Sequence, residues 1–398
     1  MSRRGLLRNA ALLMAAGVGP GAAFARATAA VSARGAIPLA GARLTQRVVL
    51  VIFGGGVRSS ETLGSGNTPN LDRIAAAGVS LPRTAVQNIG HYGAASSIIT
   101  GSWDVFGIRE NGRSEKPTLF EIIRREAGLP ASEVWLSTSG GDQETNYAYS
   151  TASGYGPAYG ANLIGGEGIF NAEFKELVVG QGGLRSHDAA AEKTLSALRG
   201  AMETPLPIDD GGDGGGGGGG LGNDPVAAAR IEQYILEELR GDAAEITGLG
   251  ANDAKAMHVA RNLLAIFRPK LLTVTLRAPD VAHGSFNDYV TTIKRNDQEL
   301  GLLFDAITGD ASLAESTALF VLPEFGRDRD FNARRGLDHG DQSQELLSVN
   351  TVAWGPDFKS GVVERSAVRS IDVAPTIVSL FGGRMGARSG SPIKELFA

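Results

Sequence analysis

Apolar positions along this chain follow two rhythms. Unbroken runs of aliphatic and β-branched residues predict buried strands at 47–53 (RVVLVIF), 133–137 (EVWLS), 270–276 (KLLTVTL), 318–322 (ALFVL) and 351–354 (TVAW). Between them, apolar residues recur every three or four positions. One such segment starts at Thr68-Pro69, with Thr68 as N-cap, Pro69 as first helical residue, Leu71, Ile74 and Ala75 on one face and Gly78 closing it. Short helices are predicted at 93–100 and 117–127, and another at 253–267. A long one is opened by Ser285, with Asp288 completing an acidic capping box and a stripe of Tyr289, Val290, Ile293, Leu300, Leu303, Phe304 and Ile307. A last helix, 373–382, has Asp372 as its N-cap. Strands alternating with helices of this length predict an α/β fold, a mainly parallel central sheet flanked by helices on both faces.

Residues 139–185, rich in Gly, Tyr and Asn, have no period and read as an excursion over the sheet edge. Two helical stretches, 187–203 and 225–240, are separated by a glycine-rich insertion at about 205–224 that holds seven consecutive glycines at 214–220. No strand precedes that run, so it lacks the strand-to-helix setting of a phosphate loop. No repeat of 20 to 50 residues is visible. The organisation expected is a signal at 1–25, a flexible tether at 26–46 and one domain at 47–398.

The first 25 residues combine Arg3, Arg4 and Arg8 with an apolar run from Ala10 to Val18 and the small-x-small site Ala23-Phe24-Ala25. That is the layout of a secretory signal, and Ser2-Arg3-Arg4 with Leu6-Leu7-Arg8 resembles the twin-arginine export motif, so a periplasmic or secreted location is expected. The run is too short to span a membrane, and no other segment is long enough. Removing the signal takes away three arginines and moves the formal net charge from −5 to −8, which argues against nucleic acid as a partner. The chain contains no cysteine, excluding disulfides, thiolate ligands and a cysteine nucleophile.

In a parallel sheet, functional groups collect where strands end. The 270–276 strand leads to Asp280 and His283, and the 318–322 strand to Glu324 and then Asp338-His339-Gly340. The first strand delivers only Gly54-Gly55-Gly56. One carboxylate and two imidazoles, Asp280, His283 and His339, suffice to hold a divalent ion such as zinc with a position left open. Capping and loop hydrogen bonds would place the same residue types there. His187 and His258 sit in helical surroundings and read as local or packing residues.

Taken in order, "TPNLDRIAAAGV", "SIITG", "PDVAHG", "IKRND", "PEFG", "DHG" and "SIDVAPTIVSLFG" resemble the alkaline phosphatase superfamily, in its sulfatase-like branch, over about 47–396. The wording "EFGR…DHG" also resembles twin-arginine-exported sulfatase-like proteins. The resemblance implies two metal sites. Asp280, His283 and His339 match one, although Asp-x-x-His is a residue tighter than the commoner spacing. The second departs from the family: Gly54 stands for an aspartate, His91 for the nucleophile, and Glu324-Phe325 for an aspartate-histidine pair. The triple glycine then reads as a metal-binding turn that has lost its ligand.

The resemblance thus implies a metal-dependent hydrolase of phosphate or sulfate esters with one divalent ion, taken as zinc, held by Asp280, His283 and His339 with Glu324 as a further metal-site residue. His91 acts as general base or fourth ligand, and Arg58 or Arg327 meets a small anionic ester. A formylglycine sulfatase is excluded because the sequence at His91-Tyr92-Gly93 lacks the required motif. The alternative is a non-catalytic, sulfatase-like protein with a binding or structural role.

Overall fold

The computed structural model describes residues 43–103, 112–140, 146–165, 230, 245–386 and 390–398. The signal, nearly all of the tether, the glycine run and, but for Arg230, the two helical stretches beside it lie outside the described residues.

Nine described strands form one sheet in the order β4-β3-β5-β1-β6-β7-β2-β8, with β9 beside β2. They are β1 (Arg47–Phe53), β2 (Val79–Ala85), β3 (Val134–Thr138), β4 (Asn162–Gly165), β5 (Leu271–Leu276), β6 (Thr317–Pro323), β7 (Ser348–Trp354), β8 (Val362–Val363) and β9 (Val368–Arg369). All pairings are parallel except those of β7, which runs against both β6 and β2. The mainly parallel α/β sheet expected from the sequence is present.

β1 lies between β5 and β6, in register from Val48↔Leu271 to Phe53↔Leu276 and from Arg47↔Thr317 to Phe53↔Pro323. The carboxyl ends of β5, β1 and β6 therefore reach one level side by side. Val49, Val51 and Phe53 pack with residues of α1 (Pro69–Ala77), α4 (Ala251–Ile266) and α5 (Phe286–Thr308). Val48, Leu50 and Ile52 point to the other face and are equally buried, so both faces of the strand are covered. α2 (His91–Thr100), α3 (Leu119–Glu126) and α8 (Val373–Leu380) pack on one another, and the short α6 (Ala311–Ala314) and α7 (Gln344–Leu347) complete the described helices.

Several caps differ from the sequence reading. Thr68 stands at the start of α1 without a capping bond from its side chain. Its work is done by Asp297 of α5, whose carboxylate accepts from the amides of Asn70 (3.0 Å) and Leu71 (2.8 Å) and from the Asn70 side chain (3.1 Å). A negative group at a helix amino end stabilises it whichever segment supplies it. Asp372 is likewise at an N-cap position but turns its carboxylate to Arg369 and to the Ser391 amide. Thr118 and Glu121 form a reciprocal capping box that starts α3 at Leu119, and Ser285 does cap α5 through the Asp288 amide.

Four of the nine described strands were not foreseen, β8 and β9 being only two residues each. β2 carries Pro82 and Arg83, and its pairing with β7 shifts register between Leu81 and Thr84, a bulge that accommodates the missing amide donor. β4 lies within the stretch read as an excursion; four residues give too little pattern to detect. At the other end, Leu44 and Thr45 donate their amides to the Asp357 carboxylate, so the last described residues before β1 are tied down.

Candidate metal centre

Three turns build the site. After β1, Gly54-Gly55-Gly56 passes so close to its neighbours that side chains are excluded. A Cβ on Gly54 would lie 1.8 Å from the Leu276 carbonyl oxygen of β5, and one on Gly56 2.6 Å from the Gly326 oxygen; Gly55 and Gly56 also have positive φ. After β5, the 3-10 turn Ala278–His283 presents Asp280 and His283. Buried Asp253 of α4 accepts from the amides of Arg277 (2.8 Å) and Ala278 (3.0 Å) and so fixes where that turn begins. After β6 come Glu324, Phe325 and Arg327, then a loop that returns with Leu337 donating to the Ala282 carbonyl at 2.7 Å, which sets Asp338 and His339 beside His283. His91, the first residue of α2, completes the ring.

His91, Asp280, His283 and His339 each offer one donor atom, and the four atoms lie within 4.8 Å of one another. His91 Nε2 is 3.0 Å from Asp280 Oδ1, and His283 Nε2 is 3.3 Å from the same oxygen. The His339 ring lies 5.0 Å from each of the other two imidazoles, and no hydrogen bond among the described residues occupies its nitrogens. Phe325 packs 5.1 Å from both His91 and His339 as an apolar wall. The side chains of Asp280 and His283 remain about one-third exposed, 33% and 34%, so solvent reaches the centre.

The outer nitrogens are held too. His283 Nδ1 is 2.7 Å from Asp338, which also accepts from Asn332 at 2.9 Å. His91 Nδ1 is 2.6 Å from Glu324, whose same oxygen takes the Gly55 amide at 2.7 Å. Carboxylates behind imidazoles fix ring orientation and tautomer, as they do around bound metals. Because Arg327 Nη1 donates to His283 Nε2 (3.1 Å), the His283 proton resides on Nδ1 and its lone pair faces the centre.

Electrostatics divide the three imidazoles. Burial works against charge on His91, but the hydrogen bonds to Asp280 and Glu324 outweigh it and lift its pKa from 6.5 to about 9. Burial, joined by the cation of Arg327, lowers His339 to about 4. Burial also acts on Asp280, in the opposite direction to its neighbours, yet His91 and Arg327 hold its carboxyl well below the usual range. His91 is thus an imidazolium between two carboxylates, while His339 is a neutral donor. Asp280 with the imidazoles of His283 and His339, backed by supporting carboxylates, fits a zinc-type ion by donor chemistry.

The other expected site residues are placed as follows. Glu324 is not among the four converging donors; it is buried behind His91. Arg58, expected to meet substrate, gives its guanidinium to Glu61 (2.7 and 2.8 Å) and to the carbonyls of Asp328 and Arg329, and is buried. Arg327 has a fully buried side chain, turned inward to Asp280, Gly55, Leu337 and His283. Both arginines are therefore spent within the protein. Sequence reasoning had not singled out Asp338, Asn332 or Asp253 as supports; the carboxylate next to His339 was the available signal for the first. A cavity of about 500 Å³ lined by Ser59, Arg83, Gln344 and Ser348, among others, contains none of the four donors.

No family model and no curated protein matches the sequence. Solved structures do. A variant of alkaline phosphatase PafA superposes with a TM-score of 0.56 at 11% identity, covering 90% of this chain and 100% of that one. A 2-O GAG sulfatase gives 0.50 at 10% identity over 88% and 73% of the two chains, and a putative sulfatase from Bacteroides thetaiotaomicron VPI-5482 gives 0.50 at 11% over 88% and 74%. The likeness is one of fold: this chain folds like these alkaline phosphatase and sulfatase structures. In this alkaline phosphatase-like chain the centre lies at the ends of β5, β1 and β6, where open α/β sheets bind ligands. Among the described residues, no helix is long and apolar enough to cross a membrane.

Proposed function

We propose that the protein is an exported hydrolase of phosphate or sulfate esters that works through one divalent ion, with zinc the best match to the donors. The carrying observation is the convergence of four donor atoms, from His91, Asp280, His283 and His339, within 4.8 Å. The amino-terminal sequence supports export; the likeness of fold to phosphatases and sulfatases supports ester chemistry as the class.

Asp280, His283 and His339 are the three ligands in this reading. A three-residue set leaves a position open, whereas four protein ligands would close a tetrahedral site. An ion there supplies positive charge to polarise an ester oxygen and to acidify water. The protein's own groups do the rest. Asp338 holds His283 with its lone pair inward. His91 Nε2, aimed into the centre and backed by Glu324 on Nδ1, is the proton-transfer group, the carboxylate stabilising the ring whenever it is charged. An ion held by Asp280 would weaken one of the two hydrogen bonds that favour the protonated His91 ring, leaving Glu324 to orient it. Phe325 keeps one side of the centre dry.

The test is metal analysis with an ester panel. Wild type should carry about one equivalent of ion and turn over aryl phosphate mono- or diesters or aryl sulfates. His91→Ala should keep the ion and lose turnover; Asp280→Ala should lose both. A wild type that binds no ion ends this reading. The non-catalytic alternative is favoured by one observation, that Arg327 already contacts Asp280 and His283.

A further inference from the structure

Resting on the one-ion reading above, the geometry points to Arg327 as a resident counter-cation. It holds the ligand set in place when no ion is bound, and it sets how hard an ion must compete to enter.

Arg327 is anchored on three sides. Its Nε donates to the Gly55 carbonyl at 3.0 Å and its Nη1 to the Leu337 carbonyl at 3.0 Å; Nη2 reaches Gly55 O and, at 2.6 Å, Asp280 Oδ1. The side chain has no exposed surface. It cannot swing out to water, and the backbone carbonyls hold it whatever occupies the centre.

Two of its N–H groups are given to atoms that an ion needs. His283 Nε2 has a single lone pair, already accepting from Nη1 at 3.1 Å. A guanidinium proton and a metal ion cannot share it. Asp280 keeps its second oxygen, but Oδ1 already serves Arg327 and His91. Entry of an ion therefore breaks the Arg327–His283 bond and places a dication beside a fixed, buried monocation.

Two consequences follow. Ions that bind imidazole strongly, such as zinc, can displace the guanidinium from His283, whereas magnesium and calcium, which prefer oxygen, gain little from doing so. Removing the guanidinium should tighten ion binding while loosening the ion-free protein.

The experiment uses the full chain, stripped with chelator and titrated with zinc against a competing chelator, alongside thermal unfolding of the stripped form. Arg327→Gln should bind zinc at least about tenfold more tightly than wild type and unfold at a lower temperature when stripped. Arg327→Lys keeps a buried cation for Asp280 and so guards against a variant that fails to fold. An ammonium cannot serve Gly55, Asp280 and His283 together, so it too should bind zinc more tightly. Zinc affinity in a folded Arg327→Gln or Arg327→Lys variant equal to or weaker than wild type overturns the inference and leaves the hydrolase reading intact. Zinc bound by a variant but not by wild type supports the inference and ends the hydrolase reading. Zinc bound by none of the three proteins overturns both.

Discussion

If Gly54 is merely a ligand position that has lost its aspartate, Gly54→Asp should restore a second metal ion at little cost. The structure predicts the opposite. A Cβ at position 54 would sit 1.8 Å from the Leu276 carbonyl oxygen and 3.5 Å from a Glu324 carboxylate oxygen. Ordinary contact between such atoms needs about 3.2 Å, so β1 and β5 would have to separate locally by more than about 1 Å, in a core packed too densely to yield cheaply. The clash falls one residue beyond the Phe53↔Leu276 pair, so at least one ladder hydrogen bond, worth about 1 kcal/mol, goes with it. Together with an overpacking penalty of about 1–3 kcal/mol, the loss should be about 3 kcal/mol.

Gly54→Ala isolates the steric part, and Gly54→Asp adds a carboxylate next to Glu324 and so should be worse. Urea unfolding of metal-stripped protein measures both. A loss below about 1 kcal/mol for Gly54→Ala, or a second equivalent of zinc in Gly54→Asp at unchanged stability, would refute the reasoning and reinstate the lost-ligand explanation.

Three further outcomes are expected. Because His91 is raised from 6.5 to about 9, its share of ion-free stability is fully present below about pH 6.5 and disappears as pH rises towards 9. Zinc uptake should change in the opposite sense, strengthening over that window with release of about one proton at pH 7, measurable by calorimetry in two buffers of different ionisation enthalpy; no buffer dependence would count against it. Asp338→Asn should weaken zinc binding about 10- to 100-fold while barely moving the melting temperature of the stripped protein, since the Asp338 side chain is 44% exposed; equal losses in both would point to a purely structural role. Asp297→Ala should cost about 2 kcal/mol in urea unfolding by uncapping α1, and leave zinc affinity unchanged.

How much of this the sequence carries depends on the range of the interaction. β1, β5, β6 and α5 are legible because burial and periodicity are local properties, and Asp280, His283 and His339 are legible because strand ends collect functional groups. Thr68 misleads as a cap because the true partner, Asp297, lies 227 residues from Asn70 and is chosen by how α5 crosses α1. The Glu324–His91 bond spans 233 residues, and nothing local says whether a glutamate after a strand faces an ion or the back of an imidazole. Arg327 is the sharpest case. Its charge suggests a substrate anion, and only the direction of its side chain shows that its hydrogen bonds are already made inward, to Gly55 and Asp280. β2 escapes notice because Pro82 and Arg83 break its alternation at the bulge.

The departures from the two-metal pattern bear on whether the centre has decayed or been rebuilt. A site losing ligands one at a time should leave polar groups stranded, because a buried donor or acceptor without a partner costs about 1–3 kcal/mol and nothing compels the neighbours to adapt. The buried side-chain polar atoms without partners among the described residues, such as Thr273 Oγ1 and Thr317 Oγ1, belong to none of the substituted positions. Instead the changes interlock. Absence of a side chain at Gly54 lets β1 and β5 close; beside it the Gly55 amide donates to Glu324 and the Gly55 carbonyl accepts from Arg327. Glu324 in turn orients His91, and Arg327 offsets the charge of Asp280. Changing any one of these residues alone would disturb a partner of another, so Gly54, His91 and Glu324, together with Arg327, form a single arrangement in which a guanidinium and an imidazolium balance two carboxylates.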